Sequence, residues 1–273
     1  MIPYKIRLTL VTFLALALVP PYTAFASKGK YGVTCKSVIF SDSTRVKRLY
    51  GKNVHARVLP ASTTKVMTAL IVMERLKMDQ YVTVSSRAAL AAPTKLNLRQ
   101  GERFKVRDLL YAILIKSAND ASIVLAEAVA GSENEFVQMM NARAQKLGAK
   151  HTKFANSNGL PTKAVQHTTA YDMYLIFREA LRHDFFREAI KLKYKNIISQ
   201  GGREFALKSH NQILFKGWKQ NIYGKTGYTR AAKACFVGTL QKGKDTLIIA
   251  VFGCPKRWDD IKHVVSRYGR VAL

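Results

Sequence analysis

The stretch that decides the fold reads PASTTKVMTAL and occupies residues 60–70. Ser62 lies where a helix should begin, and Lys65 follows three residues later, so both side chains share one face of that helix. This spacing places an amine within reach of a hydroxyl, and a neutral lysine there can remove the serine proton. Val66 and Leu70 belong to an apolar pattern that predicts a buried helix. The stretch is therefore a candidate nucleophile and base, held in place by helix packing.

On its own, a Ser-x-x-Lys spacing is a weak signal, because both residues are common. A second copy runs from Ser27 to Lys30, beside a glycine and with no helical pattern after it. The alternative interpretation of Ser62 is a helix-capping serine followed by a solvated lysine, since serine is a favoured N-cap residue. Motifs further along the chain bear on this choice.

Two further short motifs follow the first. Ser117-Ala118-Asn119 comes after an apolar helical pattern, and Lys225-Thr226-Gly227 lies in a strand-like region and occurs once. Serine–lysine acyl transferases combine motifs of these three kinds in this order. A second Ser-x-Asn, Ser209-His210-Asn211, has no helix leading into it, and helix capping is the alternative role of the first. The order and the context of the motifs favour catalysis.

With these motifs the chain resembles the penicillin-binding D-alanyl-D-alanine carboxypeptidases, the low-molecular-mass serine peptidases of bacterial cell walls. The likeness covers nearly the whole chain after the first thirty-odd residues. The stretches that carry it are LPASTTK at 59–65, DLL at 108–110, IKSANDA at 115–121, NSNGL at 156–160, TTAYDM at 168–173 and KTGYT at 225–229.

The resemblance implies a β-lactamase/transpeptidase-like fold of the α/β (α+β) class, an antiparallel sheet flanked by helices with an inserted all-helical subdomain. The patterns along the chain agree, because strand-like runs at both ends enclose a helical middle. We expect residues 27–273 to form a single catalytic domain without a C-terminal β domain. Its sheet part should cover about 30–85 and 191–273, and its helical part about 86–190. The active site should lie in the crevice between the two parts.

Residues 1–26 have the pattern of a signal peptide. Lys5 and Arg7 precede an uncharged apolar run from Leu8 to Val19, and Ala24-Phe25-Ala26 offers a small-x-small cleavage site. The alternative is an uncleaved membrane anchor, but a spanning helix needs about 20 apolar residues and this run is shorter. We expect an exported protein, in the periplasm or the cell wall, whose membrane contact is at most an uncleaved signal segment.

By resemblance, the reaction is acyl transfer through a covalent intermediate on Ser62. Lys65 is expected to act as general base, with its pKa lowered by burial and by the neighbouring Lys225. Ser117 would relay a proton to the leaving amine. Asn119 would hold either the substrate amide or Lys65.

The resemblance assigns substrate binding to the C-terminal part of the chain. Lys225 adds positive field, the Thr226 hydroxyl can bind the substrate carboxylate, and Gly227 lets a strand approach the substrate closely. The backbone N–H groups of Tyr228 and of the nucleophile are expected to form the oxyanion hole, where one donor is typically worth about 3 kcal/mol. Arg257 matches the carboxylate-recognising arginine of the family, with an ordinary surface arginine as the alternative.

The implied function is removal of the terminal D-alanine from peptidoglycan stem pentapeptides, with β-lactam antibiotics as covalent inhibitors. The alternatives are D,D-endopeptidase cleavage of peptide cross-links by the same residues, and a penicillin-binding wall protein without turnover. No cofactor and no metal is predicted, since the chain has no CxxC or HExxH spacing.

The formal net charge of +28 suggests attraction to polyanions. In an exported wall enzyme the partners would be anionic wall polymers or lipopolysaccharide, and a generally basic, solvated surface is the alternative. We do not expect binding to nucleic acid, because the lysines are spread along the chain, no nucleic-acid motif is present and export separates the protein from nucleic acid.

The chain has three cysteines, Cys35, Cys235 and Cys254. The favoured interpretation is three buried apolar residues, although any one of three disulfide pairings is possible.

The sequence departs from the family pattern at two positions. Ala118 stands where glycine is commoner, and the loop should tolerate the extra methyl group. Lys233 stands where a glycine is usual, which puts the geometry of that loop in question.

Overall fold

The computed structural model describes residues 32–273, and a five-stranded antiparallel sheet forms its centre. The described part of the chain contains nine strands: β1 Ser37–Asp42, β2 Lys47–Lys52, β3 Tyr81–Thr83, β4 Arg103–Lys105, β5 Tyr194–Ile198, β6 Glu204–Lys208, β7 Tyr223–Thr229, β8 Lys233–Lys242 and β9 Asp245–Cys254. The order across the central sheet is β2-β1-β9-β8-β7. Strands from both ends of the described chain therefore build one sheet, and β7 lies at its edge.

Helices are the predominant regular elements between β2 and β7. The α-helices are α1 Lys65–Arg75, α2 Ser86–Ala89, α3 Val106–Tyr111, α4 Asn119–Ala130, α5 Glu133–Lys146, α6 Ala170–Ala180, α7 Asp184–Ala189 and α8 Arg257–Gly269. A 3-10 turn at Ala61–Thr64 leads directly into α1, and a π-helical turn at Ala112–Lys116 follows α3. The antiparallel sheet with a helical middle is the predicted architecture.

The sheet is covered on both faces. Alternate residues of β9 point to opposite sides, as a pleated strand requires. Ile248, Ala250 and Phe252 join the larger hydrophobic core with α1 and α4 to α6, whereas Ile249 and Val251 join the core beneath α8. The helical layer thus packs on the same sheet whose edge strand carries the Lys-Thr-Gly motif.

Helix α1 is buried on every side. All its residues from Lys65 to Val72 are inaccessible to solvent, and it contacts α4, α5 and α6. A helix without a solvated face is expected to be apolar all round. Lys65 breaks this rule with a fully buried amine, which packing alone does not explain.

β1 and β2 form an N-terminal hairpin whose turn is organised by an aspartate. β1 continues to Asp42, and the turn covers residues 43–46. The buried Asp42 carboxylate accepts hydrogen bonds from the backbone N–H groups of Thr44 and Arg45, at 3.0 and 3.1 Å. An aspartate can therefore end the strand and also organise the turn.

The hairpin of β5 and β6 is absent from the sequence predictions. Each strand fully buries one residue, Ile197 in β5 and Leu207 in β6, and the turn between them contains Gly201-Gly202. Exposure alternates along both strands, but Tyr194 and Ile198 lie on the exposed face of β5, so apolar and polar residues do not alternate in its sequence.

The expectation of three unpaired cysteines is wrong. Cys35 and Cys254 form a disulfide with an S–S distance of 2.06 Å, and Cys235 is a buried free thiol. Burial alone did not separate the two cases, because bonded and free cysteines are equally buried here. The pairing depends on β1 and β9 being neighbours in the sheet, which composition and spacing do not reveal.

Residues Val33–Leu273 form one compact unit. Within the described residues, no helix combines the length and the apolar character needed to cross a bilayer. The predicted signal segment at 1–26 lies outside the described residues.

Candidate active site

The structure brings Ser62 and Lys65 together at the junction of the 3-10 turn and α1. The Nζ atom of Lys65 lies 3.2 Å from Ser62 Oγ. It also donates to the side-chain oxygen of Asn119 and to the backbone carbonyl of Asn158, both at 2.8 Å. The predicted pair is therefore in contact, and two further oxygen atoms surround the amine.

Burial, and not the contacts, favours a neutral Lys65. Three surrounding oxygens suit an ammonium group, which has three hydrogens, as well as a neutral amine, which has two hydrogens and one lone pair. In the neutral form, the acceptors of Asn119 and Asn158 take the two hydrogens and the lone pair faces Ser62. Burial, followed by the charge of Lys225, lowers the pKa of Lys65 well below 10.5. Lys65 can thus act as a base toward the Ser62 hydroxyl.

The loop that carries Ser117 is built by the π-helical turn before it. Ser117 adopts a left-handed conformation with φ 64°, and the N–H of Ala118 donates to Ala112 O at 3.1 Å. Ala118 itself has φ −61° and ψ 122°, a conformation that any residue adopts, so the methyl group in place of glycine causes no backbone strain. The Ser117 hydroxyl accepts a hydrogen bond from Lys225 Nζ at 2.9 Å.

Asn119 is the first residue of α4, and both the oxygen and the nitrogen of its side-chain amide form hydrogen bonds. Its oxygen accepts from Lys65, and its amide group donates to Ala92 O at 3.0 Å. Of the two roles predicted for Asn119, the structure shows the contact with Lys65. The amide orientation is fixed by this pair of partners.

Lys225 forms a second buried lysine beside the first. It projects from β7, is 1% exposed, and donates to the Thr226 carbonyl at 2.8 Å in addition to Ser117. Burial, and to a lesser degree the charge of Arg257, lower the pKa of Lys225 to about 7. Each serine of the site is therefore hydrogen-bonded to a different buried lysine: Ser62 to Lys65, and Ser117 to Lys225.

The sequence suggests that Gly227 makes room for the substrate, whereas in the structure it makes room for the backbone at Ala61 and Ser62. A Cβ atom at this position would lie 3.1 Å from both Ala61 Cβ and the Ser62 backbone N. These distances are tighter than ordinary van der Waals contact. The glycine therefore lets β7 approach the segment of the nucleophile itself, and so brings the backbones of Ser62 and Tyr228 onto facing elements.

Arg257 lies at the start of α8 and is anchored to the end of β7. Its Nη1 donates to Cys235 O at 2.8 Å and to Gly227 O at 3.3 Å, and the guanidinium stacks over Trp258. Burial lowers the pKa of Arg257 to about 10, although the group stays cationic at neutral pH. Arg257 is thus not an ordinary surface arginine. The Tyr228 side chain, in contrast, is 67% exposed.

The loop at 156–160 contributes contacts that the sequence analysis did not assign. Asn158 supplies its backbone carbonyl to Lys65, and Ser157 O accepts from Thr68 and Ser122 at 2.6 and 2.8 Å. Gly159 has a positive φ, 82°, and a Cβ there would lie 1.8 Å from Ala61 O. A backbone acceptor leaves no signal in a sequence, but the NSNGL stretch marks the loop.

The second Ser-x-Asn motif is a structural loop that lies near the site. The His210 N–H donates to Ile115 O at 3.1 Å, and the Asn211 amide donates to Ile222 O at 2.8 Å. Burial, and then the charges of Lys225, Lys116 and Lys65, lower the pKa of His210 to about 4. His210 is therefore neutral at pH 7 and adds no charge to the two lysines.

One group of potential metal ligands occurs among the described residues, and it has a structural role. Cys35, Cys254 and Asp260 lie within 4.8 Å of one another, but the two sulfurs are bonded to each other. The Asp260 carboxylate accepts from the Thr34 N–H and hydroxyl at 2.9 and 2.6 Å. These contacts tie the segment before β1 to α8.

Solved structures define the class to which this arrangement belongs. The crystal structure of a D-alanyl-D-alanine carboxypeptidase from Mycobacterium tuberculosis superposes with a TM-score of 0.81 at 28% identity, and the alignment covers 88% of this chain and 92% of that chain. The fold is that of the penicillin-binding DD-peptidases, which confirms the predicted fold class.

The sequence profile of the D-alanyl-D-alanine carboxypeptidases, peptidase family S11, matches residues 24–256, and the chain belongs to this family. Among similar relatives, the D-alanyl-D-alanine carboxypeptidase DacF of Bacillus subtilis is 36% identical over 80% of this chain. The carboxypeptidase DacC of Escherichia coli is 35% identical over 85% of it. The chain spans 57% and 60% of the lengths of these two relatives.

Proposed function

We propose that this protein is a serine-type D-Ala-D-Ala carboxypeptidase that removes the terminal D-alanine from peptidoglycan stem pentapeptides. The observation that carries the proposal is the Lys65 amine, which donates to two oxygen acceptors and faces Ser62 Oγ at 3.2 Å. Family membership and the names of the relatives support the choice of substrate.

In the acylation step, Ser62 Oγ attacks the carbonyl carbon between the two D-alanines. Its proton passes to the Lys65 lone pair as the C–O bond forms. The backbone N–H groups of Ser62 and Tyr228 are positioned on facing elements and would stabilise the oxyanion. As the C–N bond breaks, the leaving amine needs a proton, which Ser117 delivers while it takes one from Lys225. The products are free D-alanine and an ester on Ser62.

Hydrolysis of the ester repeats the same steps with water as the nucleophile. Before hydrolysis, the proton that Lys65 gained passes to Lys225, which gave one up, so both lysines return to their starting forms. Lys65 then takes a proton from the water molecule as the oxygen attacks the ester carbonyl. Collapse of the intermediate breaks the bond to Ser62 Oγ, which recovers its proton from Lys65. A β-lactam would acylate the same oxygen, with its ring amide in place of the peptide bond.

The terminal carboxylate of the substrate selects the cleaved bond. Thr226 precedes Gly227 in β7, and the half-buried Arg257 donates to the Gly227 carbonyl, so the two residues offer a hydroxyl and a cation for a carboxylate. The contact of Arg257 with Gly227 O supports this placement at the end of β7. A cavity of about 240 Å³, lined by Ala61, Gly159 and Thr229, lies beside the nucleophile and can receive the acyl part of the peptide.

Two features support an exported wall enzyme. Residues 1–26 have the pattern of a signal peptide, and a disulfide joins Cys35 to Cys254, as is usual for proteins of oxidising compartments. The net charge of +28 supports attraction to anionic wall polymers. We propose that the protein acts in the periplasm or the cell wall.

The experiment uses purified protein, a stem pentapeptide and a fluorescent penicillin. We expect D-alanine release from the pentapeptide and a covalent label on Ser62, and we expect Ser62→Ala to lose both. The Lys65→Arg variant should also lose both, because an arginine cannot deprotonate to serve as the base. Ser209→Ala, in the other Ser-x-Asn motif, is the matched control and should retain activity.

Product analysis separates the alternatives. Free D-alanine from a monomeric pentapeptide supports the carboxypeptidase, whereas release of monomers from a cross-linked dimer without free D-alanine would replace it with an endopeptidase. Penicillin labelling without turnover of either peptide would leave a binding protein without catalysis. D-alanine release by Ser62→Ala would refute the assigned nucleophile.

A further inference from the structure

A cavity lined by cations lies among residues that the proposed mechanism does not use. Its volume is about 570 Å³, within the usual range of ligand pockets, roughly 300–1,000 Å³. It is enclosed by the C-terminal end of α6, by α7 and by the ends of β8 and β9 near Tyr223. None of the residues around Ser62 lines this cavity, so its binding properties can be separated from peptidase activity.

The charge of this cavity has one sign. Four cationic side chains line the cavity, namely Arg178, Arg182, Arg187 and Lys191. No acidic side chain lines it. Arg182 and Arg187 are paired with Glu179 and Asp184. Among the described residues, Arg178 and Lys191 have no carboxylate within salt-bridge distance, and both lie beside aromatic rings. Two positive charges therefore remain without a counter-charge at the cavity.

The other walls combine apolar surface with hydroxyl groups. Leu181 and Ile190 supply aliphatic side chains, and the remaining lining includes the hydroxyls of Thr239 and Thr246. Each hydroxyl already donates one hydrogen bond within the protein, at 2.9 and 3.2 Å. The Thr246 hydroxyl also accepts from Gln241 Nε2 at 3.0 Å, so it keeps one lone pair and the Thr239 hydroxyl keeps two. A sugar ring presents this same combination, because its C–H faces are apolar and its edge carries hydroxyls that donate.

We propose that this cavity binds a phosphorylated sugar. Arg178 and Lys191 would hold the phosphate, since a guanidinium matches phosphate oxygens with paired donors and an ammonium adds a compact charge. The threonine hydroxyls would accept from the sugar, and the aliphatic wall would contact its face. The proposal does not depend on the peptidase assignment, because no residue is shared between the two sites.

The test measures binding of glucose 1-phosphate by calorimetry to the full chain, with glucose and inorganic phosphate as companion ligands. The wild-type protein should bind glucose 1-phosphate in a saturable manner and more tightly than either companion. The double variant Arg178→Gln/Lys191→Gln should weaken binding roughly tenfold or more, because two charge-assisted contacts are lost. Penicillin labelling of Ser62 should be unchanged.

The matched control is Arg75→Gln/Lys77→Gln, which removes one arginine and one lysine from an exposed segment outside the cavity. It changes the net charge by the same amount and should leave binding unaltered. Equal weakening by both double variants would show a diffuse response to surface charge and would overturn the proposed site. The absence of saturable binding, or equal affinity for inorganic phosphate, would overturn it as well.

The cavity variants need not be destructive, because the Arg178 and Lys191 side chains are exposed. A second variant, Leu181→Gln, probes the apolar wall without altering charge, at a side chain that is only partly buried. It should weaken glucose 1-phosphate binding and leave inorganic phosphate unaffected. Equal glucose 1-phosphate affinity in the wild-type and Leu181→Gln proteins, with both folded by circular dichroism, would refute the sugar-contacting role of the wall.

Discussion

Two lysine side chains, Lys65 and Lys225, are almost wholly buried, at 0% and 1% exposure. Removing a cation from water costs free energy unless the group is paired or becomes neutral. Neither lysine forms a salt bridge among the described residues, and both have lowered pKa values. The protein therefore gives up stability to hold two amines beside two hydroxyls, which is expected of groups selected for chemistry rather than for folding.

Lys225→Met tests this cost. The pKa of Lys225 is about 7 in the folded protein and 10.5 ordinarily, so the unfolded state binds more protons between these values and stability rises with pH there. Methionine does not titrate. We expect the variant to be more stable than wild type by roughly 2–4 kcal/mol at pH 6, and the gain to shrink as the pH rises toward 10.

Urea unfolding at pH 6, 7.5 and 9 measures the difference. The exposed Lys216→Met is the control for adding an apolar side chain, and it should show no such pH dependence. A gain from Lys225→Met that is the same at every pH would contradict the assigned burial cost. The same variant should lose penicillin acylation, because Ser117 loses its hydrogen-bond donor.

A glycine holds the loop of Asn158 against the nucleophile. Gly159→Ala would place a Cβ 1.8 Å from Ala61 O, whereas Gly101→Ala meets no atom within 4 Å. Both positions have a similar positive φ, 82° and 85°, so the backbone penalty is matched, roughly 1–2 kcal/mol. We expect Gly159→Ala to lower penicillin acylation at least a hundredfold and Gly101→Ala to leave it near wild type. Similar rates for the two folded variants would disprove the steric argument.

At the scale of elements, the turn between β7 and β8 explains the departure at Lys233. Lys233 pairs with Thr229 across the hairpin and has φ 57°, in the left-handed region that favours glycine. The glycine usual in relatives thus has a conformational reason. The lysine keeps the fold of the turn at a cost in backbone strain, and the strand that carries Lys225 is unaffected.

Lys233→Gly should therefore stabilise the protein. The gain from relieved strain, about 1–2 kcal/mol, is partly offset by the greater freedom of glycine in the unfolded chain, about 0.4–1 kcal/mol. We expect a net gain near 0.5–1 kcal/mol in thermal or urea unfolding. Lys233→Ala keeps the strained φ and removes the same charge, so it serves as the control and should show no gain. A larger gain from alanine than from glycine would point to side-chain repulsion instead.

The sequence predicted those elements whose pattern is local. The Ser62–Lys65 spacing and the helical run before Ser117 both rest on neighbours in the chain. Contacts set by tertiary structure have no such local pattern. The Asn158 carbonyl on Lys65 and the fit of Gly227 against Ala61 depend on segments far apart in sequence, and a backbone atom or a missing Cβ carries no local signal.

At the scale of the whole molecule, the active site depends on long-range closure of the chain. β1 pairs with both β2 and β9, so the central sheet forms only when the two ends of the described chain meet. Asp260 of α8 also binds Thr34 and the Cys35 N–H. Arg257 lies three residues after Cys254, so the same closure positions a candidate substrate-binding side chain.

The disulfide fixes this closure, and its removal gives the last prediction. Cys35 and Cys254 are 219 residues apart, so the bond restricts almost the whole unfolded chain. We expect Cys35→Ala/Cys254→Ala to lose roughly 2–4 kcal/mol in urea unfolding. Wild-type protein treated with reductant should fall to a similar stability, whereas the double variant should not respond. Cys235→Ala, which removes the buried free thiol, is the control and should remain reductant-sensitive. Because Lys65 and Ser62 are held by α1 and its neighbours, penicillin should still label the folded double variant. A stability that is the same with and without the bond would show that sheet pairing alone closes the fold.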